Sequence, residues 1–175
     1  MDTVLTERIK KIKLLVLDID GVMTDGRIVY GPYGEEVKFF DVHDGLGIAL
    51  LRRAGIQTAV VTARKSRIVR ARCKDLGIKR VYAGFPDKSG PFNKILRKFR
   101  LSAEEVCFVG DDLIDLPVIV QVGFSVAVSN AVEEVRERAH YITGKKGGRG
   151  AVREITDLIL KTQGIWERAT SRFFE

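Results

Sequence analysis

Six polar side chains fall where apolar runs stop, and as a group they are equipped to handle a phosphate ester. Asp18 and Asp20 close the run Leu14-Leu15-Val16-Leu17, and Thr62 closes Ala59-Val60-Val61. Lys88 follows shortly after Val81-Tyr82-Ala83, and Asp111 with Asp112 ends Val106-Cys107-Phe108-Val109. A carboxylate can attack phosphorus in line and split one difficult displacement into two. A neighbouring carboxyl can protonate the departing alcohol and then deprotonate the attacking water. Carboxylate oxygens are also the ligands Mg²⁺ prefers, and that ion offsets repulsion between nucleophile and phosphoryl oxygens. A hydroxyl and an ammonium suit the equatorial oxygens, where charge spreads in the transition state. Taken singly, each has a plainer reading. Thr62 could end any strand, and Lys88 is one of 30 basic residues. Asp112 and Asp115 suit a helix N-terminus, and Asp18-Ile19-Asp20-Gly21 suits a turn.

Bringing such groups together requires strands that lie side by side and end at one edge. Alternate residues of a strand share a side, so the spacing puts Asp18 and Asp20 on one side and Ile19 on the other. The strand at Lys13–Leu17 carries a Leu/Val run apolar on both faces, the pattern of a central parallel strand. Further strands are predicted at Gln57–Val61, Val81–Ala83, Val106–Val109, Ser125–Val128 and Tyr141–Thr143. They alternate with helices at Gly45–Ala54, Ser66–Leu76, Pro91–Phe99, Leu113–Val122, Ala131–Ala139 and Ala151–Lys161. Asp44 and Asn130 are expected N-caps, and Ser102 with Glu105 reads as a capping box. Met1–Lys13 reads as a polar lead-in with one helical turn at most. Arg27–Tyr30 and Val37–Phe40 flank Gly31-Pro32-Tyr33-Gly34-Glu35-Glu36, a hairpin signal. The alternation predicts an α/β fold, a doubly wound, mainly parallel sheet with a β-hairpin inserted after the first strand. One domain is expected over residues 1–175, with the hairpin at 27–40 and a tail at 164–175. Ligands of such sheets bind beyond the carboxyl ends of the strands.

Bulk properties narrow the field. A chain of 175 residues, 45% hydrophobic and 30% charged, can build a substantial core as a soluble globular protein. Cys73 and Cys107 suggest no disulfide framework and a reducing compartment. No apolar run is long enough for a bilayer, and none precedes Lys10 as a signal segment, so the expected location is cytoplasmic with no membrane partner. The net charge of +7 is spread along the chain without interleaved aromatics, which argues against a nucleic-acid partner. Such a field also draws in anionic small molecules.

The ordered set resembles the haloacid dehalogenase superfamily of phosphatases. Asp18-Ile19-Asp20-Gly21-Val22 is similar to its first motif and Val60-Val61-Thr62 to its second. Lys88 fits the third, and Gly110-Asp111-Asp112-Leu113-Ile114-Asp115 fits the fourth. The resemblance implies Asp18 as nucleophile and Asp20 as a general acid/base that also meets substrate. It implies Mg²⁺ held by Asp18, the Asp20 backbone carbonyl and Asp111. It assigns the phosphoryl group to Thr62, Ala63 and Lys88, with Asp112 in support and Asp115 orienting Lys88.

The long insertion that caps the site in many members is missing, and only the hairpin stands in its place. Phe40-Asp41-Val42-His43-Asp44-Gly45-Leu46-Gly47, Thr62-Ala63-Arg64-Lys65-Ser66 and Gly147-Gly148-Arg149-Gly150-Ala151-Val152-Arg153-Glu154 resemble one capless branch. That branch is the 3-deoxy-D-manno-octulosonate 8-phosphate phosphatase family of lipopolysaccharide sugar synthesis. The resemblance implies a sugar phosphate substrate and a homotetramer whose hairpins associate and whose tails reach neighbouring sites, a role open to Trp166, Phe173 and Phe174. Arg64 follows Thr62 closely enough to meet a substrate carboxylate, which a guanidinium matches as a fork. The glycine-rich loop Lys145–Gly150 is either a mobile basic turn or an anion-facing lid. His43 reads as a hydrogen-bonded loop histidine, and Phe39 and Phe40 as hairpin packing. One rival is a phosphatase for a nine-carbon sugar acid phosphate, which these motifs barely separate. Another is a receiver-like phosphoacceptor module, whose acidic pair precedes its Thr and Lys, whereas Asp111-Asp112 follows both. An inert scaffold has no support, since no motif residue is missing.

Overall fold

A computed structural model describes residues 2–174. The carboxylate of Asp2 accepts from the Val4 N–H and starts α1 (Thr3–Lys10). The segment expected as a polar lead-in is therefore a full helix. Helices this short are marginal alone, and burial of Ile9 in α1 and of Ile12 just beyond it supplies the missing stability.

β1 (Leu14–Leu17) is buried at every residue and lies between β4 (Gln57–Thr62) and β6 (Val106–Gly110), parallel to both. β5 (Arg80–Ala83) extends one flank, and β7 (Phe124–Ala127) and β8 (Tyr141–Ile142) extend the other. The order is β5-β4-β1-β6-β7-β8, with parallel pairing throughout, as the sequence predicts. Leu17 lies opposite Val60 on one neighbour and Val109 on the other. Asp18, Thr62 and Asp111 thus emerge together from three adjacent strands. The chain winds outward from β1 on one side, returns to β6 and winds outward on the other. The crevice at that reversal is the usual ligand site of open α/β sheets.

Helices α2 (Val42–Arg53), α3 (Arg67–Asp75), α4 (Ser89–Phe99), α5 (Leu116–Ile119), α6 (Glu133–Arg138) and α7 (Ala151–Thr162) flank the sheet. Two expected caps are corrected. Asp41, not Asp44, caps α2, its side chain accepting from the His43 N–H at 2.7 Å. Asp44 instead accepts from the Arg153 N–H at 2.7 Å, serving the first turn of α7 from 109 residues away. Asn130 does not cap α6, which starts at Glu133; its Oδ1 accepts from the Gly147 N–H. The helix expected over Leu113–Val122 divides into a 3₁₀ turn (Leu113–Asp115) and α5, because the Asp115 carboxylate folds back onto the Asp111 and Asp112 N–H groups. The return bond of the Ser102–Glu105 box is present, the Glu105 carboxylate accepting from the Ser102 N–H at 2.9 Å.

The hairpin pairs β2 (Val29–Tyr30) with β3 (Glu36–Val37) and is shorter than expected. Glu36, assigned to the turn by sequence, lies in the strand opposite Tyr30. The tail forms α8 (Trp166–Thr170) and packs on α2 and α7, with Lys161 Nζ 4.8 Å from the Trp166 ring centroid. Trp166 therefore makes its contact within its own chain, while Phe173 and Phe174 stay exposed. Among the described residues, no helix is long and apolar enough to cross a membrane.

Candidate active site

Asp18 leaves β1 with its N–H still bonded to the Val109 carbonyl at 3.1 Å, so the residue is held in the ladder and buried. Lys88 enters from the loop between β5 and α4 and has no exposed surface. Its Nζ lies 2.7 Å from Asp18 Oδ1 and also bonds Asp115 Oδ1. The other Asp115 oxygen accepts from the Asp111 N–H at 2.9 Å and the Asp112 N–H at 3.2 Å. An unpaired buried charge is costly, so two carboxylates are what allow an ammonium to sit here. Burial works to lower the Lys88 pKa, but Asp18 and Asp115 outweigh it and raise it.

Carboxylate oxygens of Asp18, Asp111 and Asp115 lie within 4.8 Å of one another. Burial pushes the Asp18 carboxyl up to about 7, with Lys88 opposing and Asp115 adding to the rise. Burial, then the charges of Asp18 and Asp115, push Asp111 up to about 8. Asp111 Oδ1 is buried with no hydrogen-bond partner. Gly21 makes room beside it: at φ +98° a side chain would be strained, and a Cβ would clash with the Asp111 carboxylate. The two Asp115 oxygens are taken by Lys88 and the two N–H groups, which leaves Asp18 and Asp111 as the carboxylates with free lone pairs. Crowded acids that retain protons, with one orphaned oxygen among them, fit a small hard cation such as Mg²⁺.

Asp20 behaves differently from the strand-alternation expectation. β1 ends at Leu17, and beyond it the Asp20 carboxylate pairs with Lys38 Nζ rather than joining the acid cluster. The Lys38 side chain is wholly buried and lies 3.1 Å from Glu36 Oε1, while Glu36 Oε2 accepts from Ser66 Oγ. Ser66 Oγ in turn accepts from the Val69 N–H and caps α3. Burial would lower the Lys38 pKa, yet its bonds to Asp20 and Glu36 raise it. Sequence reasoning gave Lys38 and Glu36 no role in the site, and named Ser66 only within a motif of the capless branch and at the start of a helix. The available signal was a lone cation inside Val37-Lys38-Phe39-Phe40, a run otherwise suited to packing.

The remaining sequence candidates are arranged around this core. Thr62 is buried at the end of β4, and its Oγ1 accepts from the Arg64 N–H at 3.3 Å, with half-buried Ala63 between them. The Arg64 guanidinium lies 3.4 Å from the Tyr30 hydroxyl and 3.7 Å from Glu36, on the hairpin side. Asp112 is exposed and caps the 3₁₀ turn, accepting from its neighbour Leu113 N–H at 2.7 Å. His43 is exposed on the first turn of α2, not in a loop, with Nδ1 3.1 Å from Asp41. Phe40 is half-buried with the Arg72 guanidinium 5.6 Å from its ring centroid, and Phe39 is exposed. Of the two readings of the glycine-rich loop, the free turn is not what is found. The Gly148 N–H bonds the Val22 carbonyl at 2.9 Å, and Glu154 accepts from the Gly144 and Lys145 N–H groups. Gly147 lies so close to the Gly21 carbonyl that a Cβ could not fit.

The haloacid dehalogenase-like hydrolase family matches residues 81–155. The chain is 46% identical over 164 residues to the 3-deoxy-D-manno-octulosonate 8-phosphate phosphatase of Yersinia pestis, covering 94% of this chain and 88% of that protein. It is also similar to the solved structure of the Moraxella catarrhalis phosphatase in complex with a magnesium ion, a phosphate ion and a KDO molecule. That match has a TM-score of 0.94 at 39% identity and covers 97% of each chain. The cobalt-bound phosphatase of Haemophilus influenzae matches with a TM-score of 0.90 at 39% identity, over 95% of this chain and 98% of that one.

Proposed function

The chain belongs to the haloacid dehalogenase-like hydrolase family, and on that premise we propose that it is a Mg²⁺-dependent phosphatase acting on 3-deoxy-D-manno-octulosonate 8-phosphate. The observation that carries this reading is the buried Asp18–Lys88–Asp115 array beside Asp111 at the sheet's switch point. Asp18 attacks phosphorus, the bond from phosphorus to the sugar oxygen breaks, and its electron pair leaves on that oxygen. Asp20 supplies the proton the sugar oxygen takes. The Asp20 carboxylate then takes a proton from water, whose oxygen attacks the aspartyl-phosphate and returns Asp18 with release of phosphate. Thr62, Ala63 and Lys88 hold the phosphoryl oxygens, and Asp115 orients Lys88 through their buried bond. Asp112 supports Asp111 by fixing the turn that follows.

The carboxylates of Asp18 and Asp111 and the backbone carbonyl of Asp20 are the residues to hold Mg²⁺. When bound, the ion offsets the repulsion between Asp18 and the phosphoryl oxygens. Arg64 meets the carboxylate of the sugar acid, exchanging Glu36 and Tyr30 for it, so Arg64→Ala raises KM for that substrate. A single domain of 175 residues acts in the cytoplasm as a homotetramer, supported by two buried free cysteines and the exposed hairpin residues Tyr30, Tyr33 and Phe39. The test is phosphate release from a panel of sugar phosphates. Selective, chelator-sensitive release from the eight-carbon sugar acid phosphate is expected. Preference for a nine-carbon sugar acid phosphate would overturn the substrate assignment and keep the chemistry.

A further inference from the structure

Two buried ammonium groups serve the site, and each meets a pair of carboxylates, three aspartates and one glutamate in all. Lys88 meets Asp18 and Asp115; Lys38, from the hairpin, meets Asp20 and Glu36. The second group is anchored from a regular element. Glu36 is tied to Ser66, and Ser66 caps α3, so the ammonium that reaches Asp20 is not on a free arm. Asp20 stands two residues from Asp18, beside a cluster with free carboxylate oxygens. A carboxylate so placed can turn inward and compete with Asp18 and Asp111 for a cation.

We propose that Lys38 is a positioning residue that holds the Asp20 carboxylate out of the acid cluster, so that it serves the leaving oxygen. The inference rests on the phosphatase reading above and deepens it. Because the ammonium donates to Asp20 Oδ1, the proton given to the sugar oxygen and later taken from water is exchanged at Oδ2. On this view the hairpin, beyond any part in assembly, completes the site within its own chain.

Dependence on the leaving group separates this role from hairpin packing. A sugar alkoxide needs a proton to depart, whereas 4-nitrophenolate departs without one. Phosphate release is measured from the eight-carbon sugar acid phosphate and from 4-nitrophenyl phosphate with wild type, Lys38→Met, Asp20→Asn and the double variant. A positioned general acid contributes about 10²–10⁴ in rate. Lys38→Met is therefore expected to lower kcat for the sugar phosphate by about 10–100-fold, with KM within about threefold. The loss on the aryl phosphate is expected to be about tenfold smaller. In the Asp20→Asn background, Lys38→Met should add almost nothing, as for two residues acting as one unit. Equal losses on both substrates, or the full loss repeated in that background, would overturn the proposal. If Lys38→Met does not fold, Glu36→Gln loosens the anchor while keeping the ammonium. It should show the same leaving-group bias at smaller size, and an unbiased loss counts against the proposal. Wild type that releases no phosphate in an Asp18-dependent way would overturn the phosphatase reading and this inference with it.

Discussion

Lys88 Nζ stands 2.7 Å from Asp18 Oδ1 with almost none of either side chain open to solvent. The proposed nucleophile and the proposed phosphate-binding ammonium are one buried pair before any substrate arrives. Lys88→Met would leave Asp18 and Asp115 facing each other with no cation. Breaking such a pair costs about 3–5 kcal/mol, and each kcal/mol shifts Tm by about 2–4 °C in a chain of this size. Calorimetry on the metal-free variant should show a Tm lower by about 6–20 °C. An unchanged Tm would mean the pair is not formed in solution.

Asp18 and Asp111 are pushed up to about 7 and about 8 from an ordinary 3.8, burial being the first cause of both. Without metal, the folded protein keeps protons that the unfolded chain has released. The unfolded state therefore binds fewer protons between these values, and stability falls as pH rises from about 4 to about 8. A cation among the carboxylates replaces those protons and binds more weakly in acid. The rise in Tm on adding Mg²⁺ to chelated protein should be larger near pH 8 than near pH 5.5. A shift independent of pH would contradict the metal assignment.

Gly21 turns the chain at φ +98° against the Asp111 carboxylate. In Gly21→Ala the added methyl must displace Asp111 or move the loop that carries Asp20. Mg²⁺ titration of activity should show a half-saturating concentration at least about tenfold higher, the range found when a ligand's support is lost. Unaltered Mg²⁺ dependence would show that Asp111 is not a ligand.

Asp44 supplies the first turn of α7 with an acceptor, and burial pushes its carboxyl up to about 6. Asp44→Ala should cost about 1–2 kcal/mol, the usual worth of an N-terminal cap. In Tm that is about 2–8 °C. Asp44→Asn, which retains the acceptor oxygen, should recover most of it. Equal losses in the two variants would locate the effect in packing.

How much of this was legible follows from which contacts are local. Asp18, Thr62 and Asp111 each end an apolar strand, so parallel alternation alone carries them to one edge. Lys88 was legible only by its order among the motifs, because nothing in Pro86-Asp87-Lys88 marks a buried ammonium. Lys38 and Glu36 escaped notice for a different reason. Their partners Asp20 and Ser66 lie 18 and 30 residues away, across a hairpin whose docking no periodicity encodes. Asp44 was misread because Asp41 and Asp44 are both capable caps of α2. Only the tertiary contact with Arg153 tells which one is released to serve α7. The N-terminal helix was underestimated since eight residues predict little until Ile9 finds the core.

The central claim is that Asp18 carries the phosphoryl group during turnover. Wild type mixed with excess eight-carbon sugar acid phosphate and Mg²⁺ can be quenched in acid, where acyl-phosphates persist, and its peptides mapped by mass. The expected result is a hydroxylamine-labile phosphoryl mass on the peptide containing Asp18, absent from Asp18→Asn, which also releases no phosphate. Turnover by Asp18→Asn at a rate near wild type, or a phosphoryl mass on another residue, would contradict it.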